Sequence, residues 1–371
     1  MSAEAQQNPK KTFMSKLVDL ISSIFLPVLS VIMAAGVLKA FLLLLSALHL
    51  LSETSDTYYI LSFISNAGFY FLPLLLAHST AKHFGGDAYL ALFLTAILFH
   101  PDFTSLVEAG ESKAFLTLEI PLRSYGSAVV PAILIGCCVA FFERFLRKWI
   151  PEVISFFAVP FLTALVMGPA ILLVLGPAGS FLGDLLSGGL SFLHEVAGWP
   201  AVALLAGCCP LLIAGGFPLC FIPLSLSMLA STGYDPFTRP AFLSANIAIA
   251  ASALAVFVKS RQKATKTLAL QASLTGFMGV TEPSVYGVLI PLKRPFLAAS
   301  IAAAISGAFA GFTQVKSVAY ASPSLVTLPI FINDTFVYAL ITTALAAVLS
   351  FVLTWVMGFE DTPLHGLNKE K

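Results

Sequence analysis

The chain has 371 residues, of which 58% are hydrophobic and only 11% charged, with a net charge of +1. A soluble domain carries about 25% charged residues, so this composition excludes a soluble enzyme and predicts an all-α polytopic membrane protein whose main partner is the lipid bilayer. A charge so near zero supplies no basic field for nucleic acid.

Residues 1–16 read as a polar tail, in which Lys10, Lys11 and Lys16 precede the first apolar run, 17–51. Those lysines place the N-terminus in the cytoplasm by the positive-inside rule. The run itself is too long for the apolar core of a cleavable signal peptide, so none is expected. The connection 52–56 is acidic, and the run 58–81 returns to Lys82 and His83. Residues 88–100 go out again to a loop with Asp102, Glu108 and Glu111, and 125–142 come back to Arg144, Arg147 and Lys148. Basic and acidic connections alternate, so the orientation is self-consistent, and 153–175 form the next outward span.

Residues 176–198 carry Asp184, His194 and Glu195 among leucines and predict an amphipathic linker helix at the interface. The run 199–230 is broken by Pro210, Gly215, Gly216, Pro218 and Pro223, a pattern that fits a crossing followed by a re-entrant piece. Residues 241–258 lead to the basic stretch Lys259, Arg261, Lys263 and Lys266. Two more spans are expected at 298–312 and 336–357, with a second broken apolar piece, SPSLVTLP, at 322–329. The cysteines at 137, 138, 208, 209 and 220 all lie in apolar runs without a C-x-x-C, so they read as small buried hydrophobes rather than disulfide or zinc ligands.

The segment 274–296, LTGFMGVTEPSVYGVLIPLKRPF, departs from an ordinary span. Its glycines and prolines weaken or break a helix, and its one carboxylate, Glu282, stands between Thr281 and Pro283. Broken backbone at membrane depth survives only inside protein or against a water-filled cavity. An ionisable group there is a functional hypothesis by default. The reading is a re-entrant segment that presents Glu282 to a polar ligand. An ionised carboxylate only accepts hydrogen bonds and takes two hydroxyl hydrogens at once, which suits a sugar. Thr281 and Ser284 add hydroxyl donors. Tyr286 offers either a ring face or plain packing.

Elsewhere, Lys39 interrupts an apolar run and either snorkels to the far interface or faces a polar cavity. His100, before Pro101, either ends a helix or contacts the ligand, and Asn246 either faces the cavity or bonds a neighbouring helix. No nucleotide-binding or metalloprotease motif is present, so no cofactor and no metal are expected.

The run GVTEPSVYGV followed by PLKRPF closely resembles the sugar-binding signature of the membrane-spanning EIIC subunits of the phosphoenolpyruvate-dependent phosphotransferase system, best in the β-glucoside and sucrose branch of the glucose superfamily. AAGVLKAFLLLL at 34–45, FHPDFTSL at 99–106, LASTGYDP at 229–236 and SPSLVTLPIFI at 322–332 extend the resemblance in order over nearly the whole chain. It implies an elevator-type transporter fold of about ten transmembrane helices plus re-entrant hairpins, in the bacterial plasma membrane. It also implies a scaffold at 17–177 that forms a homodimer, the linker at 178–198 and a transport domain at 199–358, with a C-terminal tail at 359–371.

The resemblance further implies sugar transport coupled to phosphorylation by EIIB and EIIA phosphocarriers. This chain carries no phosphorylation site of its own, so those carriers are expected to be separate proteins. Two positions depart from the family. Where relatives carry a histidine expected to contact the sugar, this chain has Pro218, and where they often carry a glutamine it has Ile249. These losses keep two other readings open: a degenerate permease acting as a sugar sensor or regulator, and an ion-coupled carrier that uses Glu282 as a proton site.

Overall fold

The computed structural model describes residues 13–361 and 364. Most of the expected tails at 1–16 and 359–371 lies outside the described residues, as do the side chains of His194 and Glu195. Among the described residues the regular elements are helical apart from one short hairpin. The N-terminal half contains α1 (Phe13–Ala47), α2 (Asp56–Tyr70), α3 (Leu72–His83), α4 (Ala88–Ala96), α5 (Pro101–Ala109), the hairpin of β1 (Ala114–Phe115) and β2 (Leu118–Glu119), α6 (Val129–Trp149) and α7 (Glu152–Ala170). A π-helical turn, Ile171–Leu175, joins α7 to the 39-residue α8 (Gly176–Ala214).

The second half contains α9 (Ile222–Thr232), α10 (Thr238–Lys259), α11 (Lys263–Phe277), the short α12 (Glu282–Ser284) and α13 (Ile290–Leu292), α14 (Arg294–Phe312) and α15 (Phe336–Met357). Eight helical stretches among the described residues are long and apolar enough to cross a membrane, and two shorter apolar helices, Gly198–Ala214 and Pro218–Thr232, accompany them. The chain is a multi-pass membrane protein.

Local chemistry explains where helices start and stop. Ser55 caps α2, its side chain accepting from Tyr58 N–H, and Asp87 caps α4 by accepting from the N–H groups of Tyr89 and Leu90. Glu143 on α6, almost fully buried, accepts from Asp87 N–H and pairs with Arg147 at 2.8 Å, so one carboxylate joins α6 to the α4 entry. Within α8 the helix breaks at Gly198 (φ 53°, ψ −139°), a conformation disfavoured for residues with a Cβ. That break ends the stretch 178–198, whose first residues continue the helical stretch that begins at Glu152.

The helix α10 is the centre of the second half, with 83% of its most apolar window buried. A helix surrounded by protein reads as apolar all round, and α10 does so with alanines that let neighbours approach closely. Its polar side chains are all committed: Ser244 to Pro240 O, Asn246 to Pro323 O and Ser252 to Pro295 O. Ile249 is fully buried, in one apolar cluster with Ile213, Val285 and Val288. The basic end of this half is tied together as well. Arg294 donates to Met357 O at 3.1 Å, Lys259 donates to Trp355 O, and Asp361 accepts from Ser260 Oγ at 2.5 Å and Arg261 N–H at 2.6 Å.

Candidate functional site

The segment carrying Glu282 is a hairpin. Its first leg is α11 and its return leg is α12, a π-helical turn at Val285–Leu289, and α13. Ser284 Oγ donates to Ala272 O at 2.7 Å, and Gly287 lies against Leu268. As residue number rises on one leg it falls on the other, so the legs are antiparallel. The 15 residues of α11 extend about 22 Å at 1.5 Å per residue, short of the roughly 30 Å apolar core. Both ends carry basic residues, Lys263 and Lys266 on one and Lys293 and Arg294 on the other. The two ends of the hairpin therefore lie on the same side of its tip.

The tip is a tight turn at Gly279, whose φ of 99° suits only glycine, and a Cβ there would lie 3.2 Å from Ser324 Cβ. The second broken segment closes over this turn. Ser322 Oγ donates to Gly279 O at 2.9 Å and Leu325 N–H to Phe277 O at 3.1 Å. Asn246 holds that segment from below through Pro323 O at 2.8 Å, while Ser324 and Thr327 bond each other at 2.9 Å. Two Gly- and Pro-interrupted pieces thus satisfy each other's backbone groups, as membrane-embedded irregular chain requires.

Against that frame the expected site residues separate. Glu282 begins α12 with an exposed side chain, and its carboxylate has no hydrogen bond or ion pair among the described residues. Thr281 beside it is buried. The Ser284 hydroxyl hydrogen goes to Ala272 O. Tyr286 donates to Ile213 O at 2.9 Å and Ala214 O at 3.2 Å, the last carbonyls of α8, while its ring stays partly exposed. This bond brings the hairpin to the entry of the segment that holds Pro218, which starts a 3-10 turn, Pro218–Phe221.

Lys39 and His100 sit elsewhere. Lys39 reaches Ser62 and Asn66 on α2, each at 3.4 Å. His100 caps α5, Nδ1 accepting from Asp102 N–H at 3.2 Å, and is largely exposed.

Sequence reasoning missed a buried polar centre at the start of α10. Asp235 accepts from Ser225 Oγ at 2.5 Å, from the N–H groups of Phe237 and Thr238, and from Thr238 Oγ1. Arg239 lies 3.8 Å from that carboxylate, donates to Ala321 O at 3.2 Å and stacks on Tyr320 at 4.5 Å. The signal was present: an Asp and an Arg four residues apart between two apolar runs, where a charge is costly unless paired.

Comparison with known proteins matches residues 22–304 to the family model described as "Phosphotransferase system, EIIC". The chain is 38% identical over 358 residues, 96% of its length, to the "PTS system beta-glucoside-specific EIIBCA component" of Bacillus subtilis (strain 168), and spans 59% of that relative. It is 31% identical, over 97% of its length and 78% of the relative's, to the "PTS system sucrose-specific EIIBC component" of the same organism. The crystal structure of the transporter ChbC, the IIC component from the N,N'-diacetylchitobiose-specific phosphotransferase system, superposes with a TM-score of 0.56 at 16% identity. That superposition covers 92% of this chain and 93% of ChbC, and speaks to the fold alone.

Proposed function

The chain belongs to the phosphotransferase system EIIC family, and from that premise we propose that it is the membrane permease for a β-glucoside or sucrose-like sugar, which it hands to an EIIB phosphocarrier. The observation that carries the reading is Glu282: a carboxylate without a protein partner among the described residues, at the tip of a hairpin that starts and ends on one side of the membrane. Hydrogen bonds to a charged acceptor contribute roughly 1.5–3 kcal/mol each, so two sugar hydroxyls on Glu282 supply much of a micromolar affinity, about 8 kcal/mol. Thr281 and the Tyr286 ring flank the same position. Asn246 supports it through Pro323, and Ser284 holds the hairpin legs in register.

The basic residues at the hairpin's two ends put that side in the cytoplasm, and Lys16, Lys82 and Arg144 put the N-terminus there too. In this reading the protein lies in the bacterial plasma membrane. Residues 17–177 form the scaffold and the homodimer contact, 178–198 the linker, and 199–358 move against the scaffold to bring the sugar to the cytoplasmic face. EIIB and EIIA supply the phosphoryl group, since EIIC chemistry here is binding and positioning. Sugar uptake that stops when the phosphodonor chain is deleted supports this; uptake of unmodified sugar that persists without it sinks it.

Pro218 favours one competing reading, a permease-derived sensor. A proline offers no side-chain donor where the family resemblance implies a sugar-contact histidine, and a sugar hydroxyl left unpaired there weakens binding. A sensor binds sugar without moving it, so binding without uptake in proteoliposomes supplied with phosphorylated EIIB distinguishes the two.

A further inference from the structure

A cavity of about 140 Å³ lies where the two halves of the chain meet, and it is separate from the Glu282 carboxylate. Lys39, Asn66, Phe69 and Ser127 of the first half line one wall, and Leu229 and Tyr320 of the second line the other. A closed cavity of about 150 Å³ takes one six-membered ring, as benzene in an engineered core shows, so this one, which is not fully enclosed, is on the scale of a single ring.

Its depth follows from the helices. Lys39 stands eight residues, about 12 Å, before the end of α1 at Ala47, and Asn66 ten residues, about 15 Å, after the start of α2 at Asp56. The Glu282 hairpin rises about 22 Å from the opposite, basic end. The two approaches together span about one membrane thickness, so the cavity floor and the hairpin tip lie at similar depth. A short stretch of chain joins them: Tyr320 lines the cavity, and two residues on Ser322 bonds Gly279 at the tip.

The cavity walls are built, and their polar groups have spare capacity. The buried Arg239 guanidinium stacks on Tyr320 at 4.5 Å and holds Ala321 O, with Asp235 balancing its charge, so the second-half wall is rigid. Lys39 has no ion pair among the described residues, and its two hydrogen bonds are 3.4 Å long. At that length they are weak. The Asn66 amide nitrogen and the Ser127 hydroxyl have no partner among the described residues. Three donor-bearing residues thus line a space otherwise bounded by mainly apolar residues such as Phe69, Leu72, Leu226 and Val318, the pattern of a small-ligand site. An inorganic anion would use the donors and gain nothing from the apolar wall. A pyranose ring uses both, through its hydroxyls and its C–H faces.

We propose that this cavity is an entry subsite that binds one neutral hexopyranose ring on the external side of the Glu282 hairpin. The proposal rests on the permease reading above and adds a second binding position to it. A diglycoside would lodge one ring here before the hairpin takes it.

Equilibrium binding of radiolabelled methyl β-D-glucopyranoside to the purified full chain tests this, in wild type, Glu282→Gln, Lys39→Met and Ala230→Phe. Ala230 lines the cavity from the exposed end of α9, so the phenylalanine fills the space without removing a charge. The expected result is two sugars per wild-type chain and one per Glu282→Gln chain. In the Glu282→Gln background, Lys39→Met weakens the remaining sugar at least tenfold and Ala230→Phe abolishes it. A single wild-type site lost in Glu282→Gln overturns the subsite and leaves the permease reading standing. A second site indifferent to both cavity variants, or one that inorganic phosphate empties at concentrations below the sugar's own, also overturns it. Wild-type protein that binds no sugar overturns both.

Discussion

The Tyr286 hydroxyl donates to Ile213 O at 2.9 Å, so the hairpin that carries Glu282 is bonded to the last turn of α8. Ala214 O at 3.2 Å shares the donor, and both carbonyls belong to the end of a helix, where Ile213 O also accepts from Gly216 N–H at 3.0 Å. Replacing Tyr286 with phenylalanine keeps the ring and removes the bond. A net loss of about 1 kcal/mol is expected. Hydrogen exchange should read it locally, as faster exchange across 282–292 with the rest of the chain unchanged.

Glu282→Gln keeps the size of the side chain and turns an acceptor for two hydroxyls into a mixed donor and acceptor. Losing one charged hydrogen bond of roughly 1.5–3 kcal/mol weakens sugar binding by about 10- to 150-fold. Calorimetric titration with a β-glucoside checks this. The thermal midpoint should stay within a degree or two, because Glu282 has no protein partner to lose among the described residues.

Asp361 gives a pH prediction outside the membrane. Burial alone would raise its carboxyl, but the Ser260 hydroxyl and the N–H groups of Arg261 and Gln262 outweigh that and hold it below the usual aspartate value. A depressed carboxylate contributes stability that is present above the unfolded value of about 3.9 and is lost as pH falls below it through the folded value. The turn between α10 and α11 should therefore loosen under acid. Asp361→Asn should show that looser exchange at neutral pH already, with little further change on acidification.

Gly36 on α1 predicts how tightly the two halves are seated. A Cβ at this position would collide with Tyr320 O and lie 3.2 Å from Ala321 Cβ. Because the obstacle is backbone held by Arg239, it does not yield as a flexible side chain would. Gly36→Ala should lower the thermal midpoint by several degrees and slow uptake. Ala34→Leu, two residues away on an exposed face of α1, should cost no more than about 0.5 kcal/mol.

Much of this protein was legible locally. The apolar runs and the alternation of basic with acidic connections follow from 20-residue windows, because lipid imposes a length and a charge bias on each span independently. The isolated carboxylate at Glu282 was legible for the same reason: a charge with Gly and Pro on either side in an apolar run is anomalous wherever the chain later goes. The glycines and prolines around Glu282 announced a break, although not what would close over it.

What only the tertiary structure decided is where the polar side chains spend their hydrogen bonds. Ser284 and Tyr286 stand near Glu282 in sequence, yet one hydroxyl goes to Ala272 O and the other to Ile213 O. Asn246 holds Pro323 across 77 residues, and Arg239 meets Ala321 across 82. No periodicity in the chain encodes such partners. In a protein surrounded by lipid, apolar faces do not distinguish a helix neighbour from a lipid tail. The contacts that select neighbours are close approaches at small residues and single long-range hydrogen bonds, and these exist only once the helices have packed.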